Sequence, residues 1–160
     1  MHVAFIGLIA VAVLIADQVT KHLIEAGVAP YSIIPVFSFF NIVHYDNRGI
    51  SFGLFASDSP LAPIILALVG TGIIIMLVFW ALRATSTVQR VSLAAIIGGA
   101  TSNVVDRLGD GGVTDFLDFH LGSYHWPAFN LADAAIVCGV AGLLLQSAFP
   151  AALRTKDVPP

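Results

Sequence analysis

The 160-residue chain has the length of one domain, but its composition excludes an ordinary soluble one: 58% of its residues are hydrophobic and 11% charged, against roughly 45–50% and about 25% in typical globular proteins. With a mean hydropathy of +0.91 it reads as an integral membrane protein. A formal net charge of −3 leaves no basic surface for nucleic acid. The lone Cys138 excludes a disulfide framework and a cysteine metal cluster, and in its apolar stretch it reads as a small buried hydrophobe.

In chain order, the first element is an apolar run from Val3 to Ala16 that ends at Asp17. No Lys or Arg precedes it and no small-residue cleavage site follows it, so it reads as a retained membrane helix rather than a signal peptide. Asp17 and Lys21 are four apart and share a helix face, with the acid N-terminal to the base. The plain reading of that pair is an interfacial ion pair with Lys21 snorkelling to the headgroups. Next, Tyr31–Phe55 is rich in β-branched and aromatic residues and broken by Pro35 and Gly49, which predicts short strands with a turn near Asn47–Gly49. The second helix, Leu61–Leu82, carries no charge, and its 22 residues reach about 33 Å, enough to span a bilayer.

The third apolar run, Val91–Val105, is short unless it continues through Asp106 and Arg107. Gly98, Gly99, Ala100 and Ser102 let another helix approach closely. Asn103, Asp106 and Arg107 follow at i, i+3 and i+4, so they converge on one face; a whole polar face on a membrane helix more often lines a cavity than a plain packing interface. "VTDFLDFH" places Asp115 in the loop after that helix. "FNLADAA" places Asp133 in the first turn of a fourth helix, Leu131–Phe149, with Asn130 as its cap.

Four crossings put both termini on one side. Arg83, Arg90, Arg154 and Lys156 lie on that side, against Lys21, Arg48 and Arg107 on the other, so the positive-inside rule places the termini in the cytoplasm. On this topology Asp157 alone among the acids is cytoplasmic, while Asp17, Glu25, Asp46, Asp58, Asp106, Asp110, Asp115, Asp118 and Asp133 lie at or beyond the outer helix ends. The outer face is the expected working face. If Asp115 and Asp133 met across a cleft there, they could not both ionise cheaply, giving one base to activate water and one acid to protonate a carbonyl or leaving amine. Spacing alone does not bring them together. His22, His44, His120 and His125 share that side, but no metal-ligand spacing appears, and they read as interfacial or loop residues.

The ordered set "DQVTK", "NRGISFG", "GGATSNVVDR", "VTDF" and "FNLADA" closely resembles the lipoprotein signal peptidase family, also called signal peptidase II, over nearly the whole chain. The resemblance implies a single membrane-embedded peptidase domain over residues 1–160: an all-α integral membrane protein of four transmembrane helices with a small periplasmic β-sheet, or cradle, between the first and second. It implies a multi-pass protein of the bacterial inner membrane, with both termini cytoplasmic and the active site outside. Such an enzyme removes the signal peptide of diacylglyceryl-modified prolipoproteins, cutting before the lipidated Cys, and is inhibited by globomycin-type antibiotics. Asp115 and Asp133 match its catalytic aspartates, and Asp17, Lys21, Asn47, Gly49, Asn103, Asp106, Arg107 and Asn130 its supporting residues. No cofactor or metal is implied, and the expected partners are the prolipoprotein, membrane lipid and the inhibitor. Ser102, where the family commonly has Gly, and Ile50 and Ser51, where it commonly has small residues, depart from the pattern. The competing class is a small membrane transporter or channel with a carboxylate-lined outer vestibule, against which stand the apolar inner halves of the second and fourth helices.

Overall fold

The computed structural model describes residues 2–49 and 61–149; Ile50, Ser51, Asp58, Arg154, Lys156 and Asp157 lie outside that range. Along the chain run α1 (His2–Gly27), β1 (Ile33–Phe37), β2 (Phe40–Asn47), α2 (Ala62–Leu82), α3 (Thr87–Gly109), β3 (Val113–Leu121), β4 (Tyr124–His125) and α4 (Leu131–Ala148). Three of the helices, α1, α2 and α4, are long and apolar enough to cross a membrane. Their outward residues, such as Leu8, Leu68, Phe79 and Leu144, are exposed, as a lipid-facing surface requires.

α3 is the central helix and packs on all three others. Leu93, Ala94, Ile96 and Ile97 form the core with Ile6 of α1 and Leu77 and Ala81 of α2. Enclosure explains its lower hydropathy, because a helix walled off from lipid can carry polar side chains wherever they find partners. Its glycines set the spacing. A Cβ on Gly98 would run into the Ala10 carbonyl of α1, and one on Gly99 would lie 2.5 Å from the Ala132 carbonyl of α4. Ser86 caps the helix, its side chain accepting from Gln89 N at 3.1 Å. α1 continues past Asp17 to Gly27, with Asp17 and Lys21 buried against α3.

The sheet has four antiparallel strands in the order β1-β2-β3-β4. Two expectations are corrected here. The sheet does not come only from the segment between the first two helices: β3 and β4 lie between α3 and α4. Asp115 is not in a loop but on β3, opposite Tyr45; its flanking β-branched and aromatic residues make a strand whose pattern the two carboxylates obscure. The hairpin reversal lies at Ser38–Phe39, between β1 and β2, in addition to the expected turn near Asn47–Gly49. At the latter, β2 ends in a local turn in which Gly49 N donates to Asn47 Oδ1 at 3.0 Å. β2 also bulges, since Ile42 pairs with Leu117 and Tyr45 with Asp115, three steps against two. The sheet packs through β3 on α1 and α3.

Candidate functional site

Asp115 reaches the site from β3 and Asp133 from the first turn of α4, and both line one cleft of about 560 Å³. Its remaining walls are Asn47, the Trp126–Phe129 segment and the α4 residues Ala134, Ile136, Val137 and Cys138. Cys138 is thus exposed on the cleft side of α4 and not the buried hydrophobe its neighbours suggest. Asn130 joins the two acids. Its Nδ2 donates to Asp115 Oδ1 at 2.7 Å, its Oδ1 accepts from Asp133 N at 2.9 Å, and its backbone N donates to Asp133 Oδ2 at 3.4 Å. The last two bonds are the capping box that starts α4, so the device that begins the helix also fixes the carboxyls relative to each other.

Each carboxyl has one more amide donor. Asn47 Nδ2 donates to Asp115 Oδ2 at 2.9 Å, and Asn103 Nδ2 donates to Asp133 Oδ1 at 2.9 Å. Burial, with the charge of Asp133 adding to it, pushes the Asp115 carboxyl up to about 7 in spite of the two amide donors.

Beneath the acids lies a buried polar cluster between α1 and α3. Lys21 Nζ meets Asp17 Oδ2 at 2.5 Å, Asp106 Oδ2 at 2.6 Å and Asn103 Oδ1 at 2.9 Å, so Asn103 links the ammonium to Asp133. Asp17 also accepts from Ala132 N at 2.8 Å, in the first turn of α4, where a carboxylate is favoured by the helix dipole. Arg107 does not touch either acid through a hydrogen bond. It donates to the carbonyls of Asn103 at 3.0 Å and Gly49 at 3.1 Å, tying the end of β2, which carries Asn47, to α3.

All ten candidate residues therefore fall in or directly against this one region. Sequence reading missed Gln18 and the role of Ser102. Gln18 Nε2 donates to Asp106 Oδ1 at 2.5 Å and Ser102 Oγ at 2.9 Å, and Ser102 Oγ donates to Asp17 Oδ2 at 2.7 Å. Gln18 lies three before Lys21, a helical neighbour that could have signalled its membership. The histidines are not all plain loop residues either. His44 Nδ1 lies 2.7 Å from the Val28 carbonyl, while His125 Nδ1 lies 2.9 Å from both oxygens of Asp118. Burial raises the Asp118 carboxyl, but hydrogen bonds from Asn41 and His125 outweigh it and hold it below the ordinary range.

The chain can now be set beside known proteins. A family model described as signal peptidase (SPase) II matches residues 9–149. A lipoprotein signal peptidase of Desulforapulum autotrophicum is 42% identical over 83% of this chain and 85% of its own length. One from Beijerinckia indica is 41% identical over 88% and 86%, and one from Anaplasma phagocytophilum 40% over 88% and 90%. Among solved structures, a bacterial membrane enzyme superposes with a TM-score of 0.82 at 28% identity, covering 98% of this chain and 95% of the other.

Proposed function

The chain belongs to the signal peptidase II family, whose members are aspartic peptidases, and on that premise we propose that Asp115 and Asp133 are its catalytic pair, cutting diacylglyceryl-modified prolipoproteins before the lipidated Cys. The observation that carries the assignment is Asn130, which hydrogen-bonds both carboxyls at the wall of one largely apolar cleft. The transporter alternative drops out, since the named relatives are peptidases.

The pair begins the reaction with one proton, held on Asp115, and with Asp133 as the carboxylate. Asp133 takes a proton from water as the oxygen attacks the scissile carbonyl carbon, and Asp115 gives its proton to the carbonyl oxygen. In the second step the C–N bond breaks, Asp133 delivers its proton to the leaving amine, and Asp115 takes its proton back from the collapsing diol. The original protonation state is thereby restored. Asn47, Asn103 and Asn130 hold the acids in place, while Asp17, Lys21, Asp106 and Arg107, with Gly49 beneath, form the platform.

α3 makes the fourth crossing; its 23 residues reach about 34 Å. The sheet sits on the periplasmic side of the inner membrane and both termini are cytoplasmic, in keeping with Arg83 in the α2–α3 linker and Arg90 in the first turn of α3. The apolar cleft wall suits a signal peptide and lipid chains, and globomycin-type inhibitors would compete there.

The test is cleavage of a diacylglyceryl-modified precursor by purified protein, with unmodified precursor and a chelator alongside. Wild type is expected to cut only the lipidated form, chelator or not, and Asp115→Asn and Asp133→Asn each to lose roughly 10²–10⁴-fold. Retained cleavage in both variants rules the assignment out.

A further inference from the structure

The cleft has one wall that comes from neither α4 nor the strand bearing Asp115. Trp126, Pro127, Ala128 and Phe129 line it consecutively, directly before the Asn130 cap. Backbone bonds hold this segment to β3 at its two ends. Trp126 N donates to the Phe119 carbonyl at 2.8 Å, while Phe129 exchanges bonds with Leu117 at 3.1 and 2.8 Å. A hairpin as short as β4, with two residues, gives little pairing of its own to fix such a wall.

The side chain just before the wall adds a further hold to these backbone bonds. His125 Nδ1 is 2.9 Å from both carboxylate oxygens of Asp118, and its ring stacks on His120 at 4.8 Å between centroids. Asp118 is buried and is itself held by Asn41 Nδ2 of β2 at 2.8 Å. A side-chain strap therefore runs across the sheet, from Asn41 on β2 through Asp118 on β3 to His125 on β4, and ends one residue from Trp126. It supplies none of the hydrogen bonds that the acid pair receives. We propose that His125, anchored on Asp118, is a positioning residue that sets the Trp126–Phe129 wall of the cleft and thereby the hold on substrate, leaving the chemistry at the two acids unaltered.

The inference rests on the peptidase reading only for its kinetic part. In a Trp80→Phe background Trp126 is the remaining one of two tryptophans, so its fluorescence reports the wall without any substrate. His125→Ala is expected to shift the Trp126 emission and to raise KM for the lipidated precursor about ten-fold, the scale of one hydrogen bond to a charged group, with kcat largely kept. His125→Asn, whose amide nitrogen stands where Nδ1 stood, is expected to recover both. Unchanged emission and KM in His125→Ala would overturn the proposal. So would equal damage in both variants with kcat and the unfolding midpoint falling together, which is the signature of a merely structural residue. If wild type fails to cleave at all, the peptidase reading falls, and the emission comparison still decides whether His125 positions the wall.

Discussion

Replacing Asp115 with Asn is expected to cut cleavage roughly 10²–10⁴-fold and yet stabilise the fold in mild alkali. The carboxyl is buried and its pKa is pushed from 3.8 up to about 7. A raised folded-state value means that the folded protein keeps a proton which the unfolded chain has lost. The associated stability is fully present below pH 3.8 and is lost as pH rises through about 7. At about pH 8 the wild type carries a buried ionised carboxyl at a cost on the order of 4 kcal/mol relative to acid. Asparagine removes that cost, which is absent only at about pH 3 and below, but turns one accepting oxygen into an NH2 facing the amide donor of Asn47 or Asn130. Neither amide can turn round freely, because Asn47 Oδ1 already accepts from Gly49 N and Asn130 Oδ1 from Asp133 N. One donor facing a donor costs about 1–3 kcal/mol, so a net gain of roughly 1–3 kcal/mol is left at about pH 8 and a net loss at about pH 3. Unfolding midpoints of both proteins in the same detergent, followed across pH, should therefore cross. Parallel curves would refute a raised Asp115 value and, with it, the placement of the proton.

The same value predicts the pH–rate profile: with Asp115 needed as the acid, kcat/KM should fall above about pH 7, approaching ten-fold per pH unit, and a flat alkaline limb would exclude that role. Lys21→Met strands Asp17 and Asp106, whose contacts to the ammonium are 2.5 and 2.6 Å with Asp17 fully buried; unfolding should show a loss of about 3–5 kcal/mol, partly recovered when both acids are also made Asn. Gly99→Ala forces a Cβ to within 2.5 Å of the Ala132 carbonyl, which should cost about 1–3 kcal/mol and lower kcat by displacing Asp133. Gly7→Ala, where a Cβ meets nothing within 4 Å, should gain about 0.5–1 kcal/mol on helix propensity alone.

What the sequence revealed and what it hid have separable causes. Apolar length marks α1, α2 and α4, and small residues with a polar face mark α3, because these are local patterns. β3 was hidden because its alternation includes Asp115 and Asp118, residues rare in strands, and because its partner β2 lies more than sixty residues earlier. Family motifs pointed to a set of residues that the fold brings into one region, but not to which group holds which. Nothing in the spacing of Asn103 tells that its two amide atoms divide between Lys21 and Asp133, 2.9 Å each. Gln18 and Ser102 escaped for the same reason, since their bonds cross between α1 and α3. His125 escaped because a lone histidine beside a turn is ordinary until a buried carboxylate is found beneath it.

The three-dimensional arrangement also explains why the two acids can differ. Asp133 stands in the first turn of α4, within the capping box, and its Asn103 donor is in turn held by the Lys21 ammonium. Positive ends therefore converge on it from the helix and through one amide. Asp115 stands on a strand, which has no comparable dipole, and receives only the neutral amides of Asn47 and Asn130. On the proposed mechanism the two carboxyls share one proton near neutrality, and the site with the weaker positive surroundings is the one expected to keep it. On that proposal a helix start and a strand, brought together by one asparagine, make an acid and a base out of two identical side chains. Lys21 lies two hydrogen bonds away from Asp133 through Asn103, and its positive charge also acts on both carboxyls directly through space.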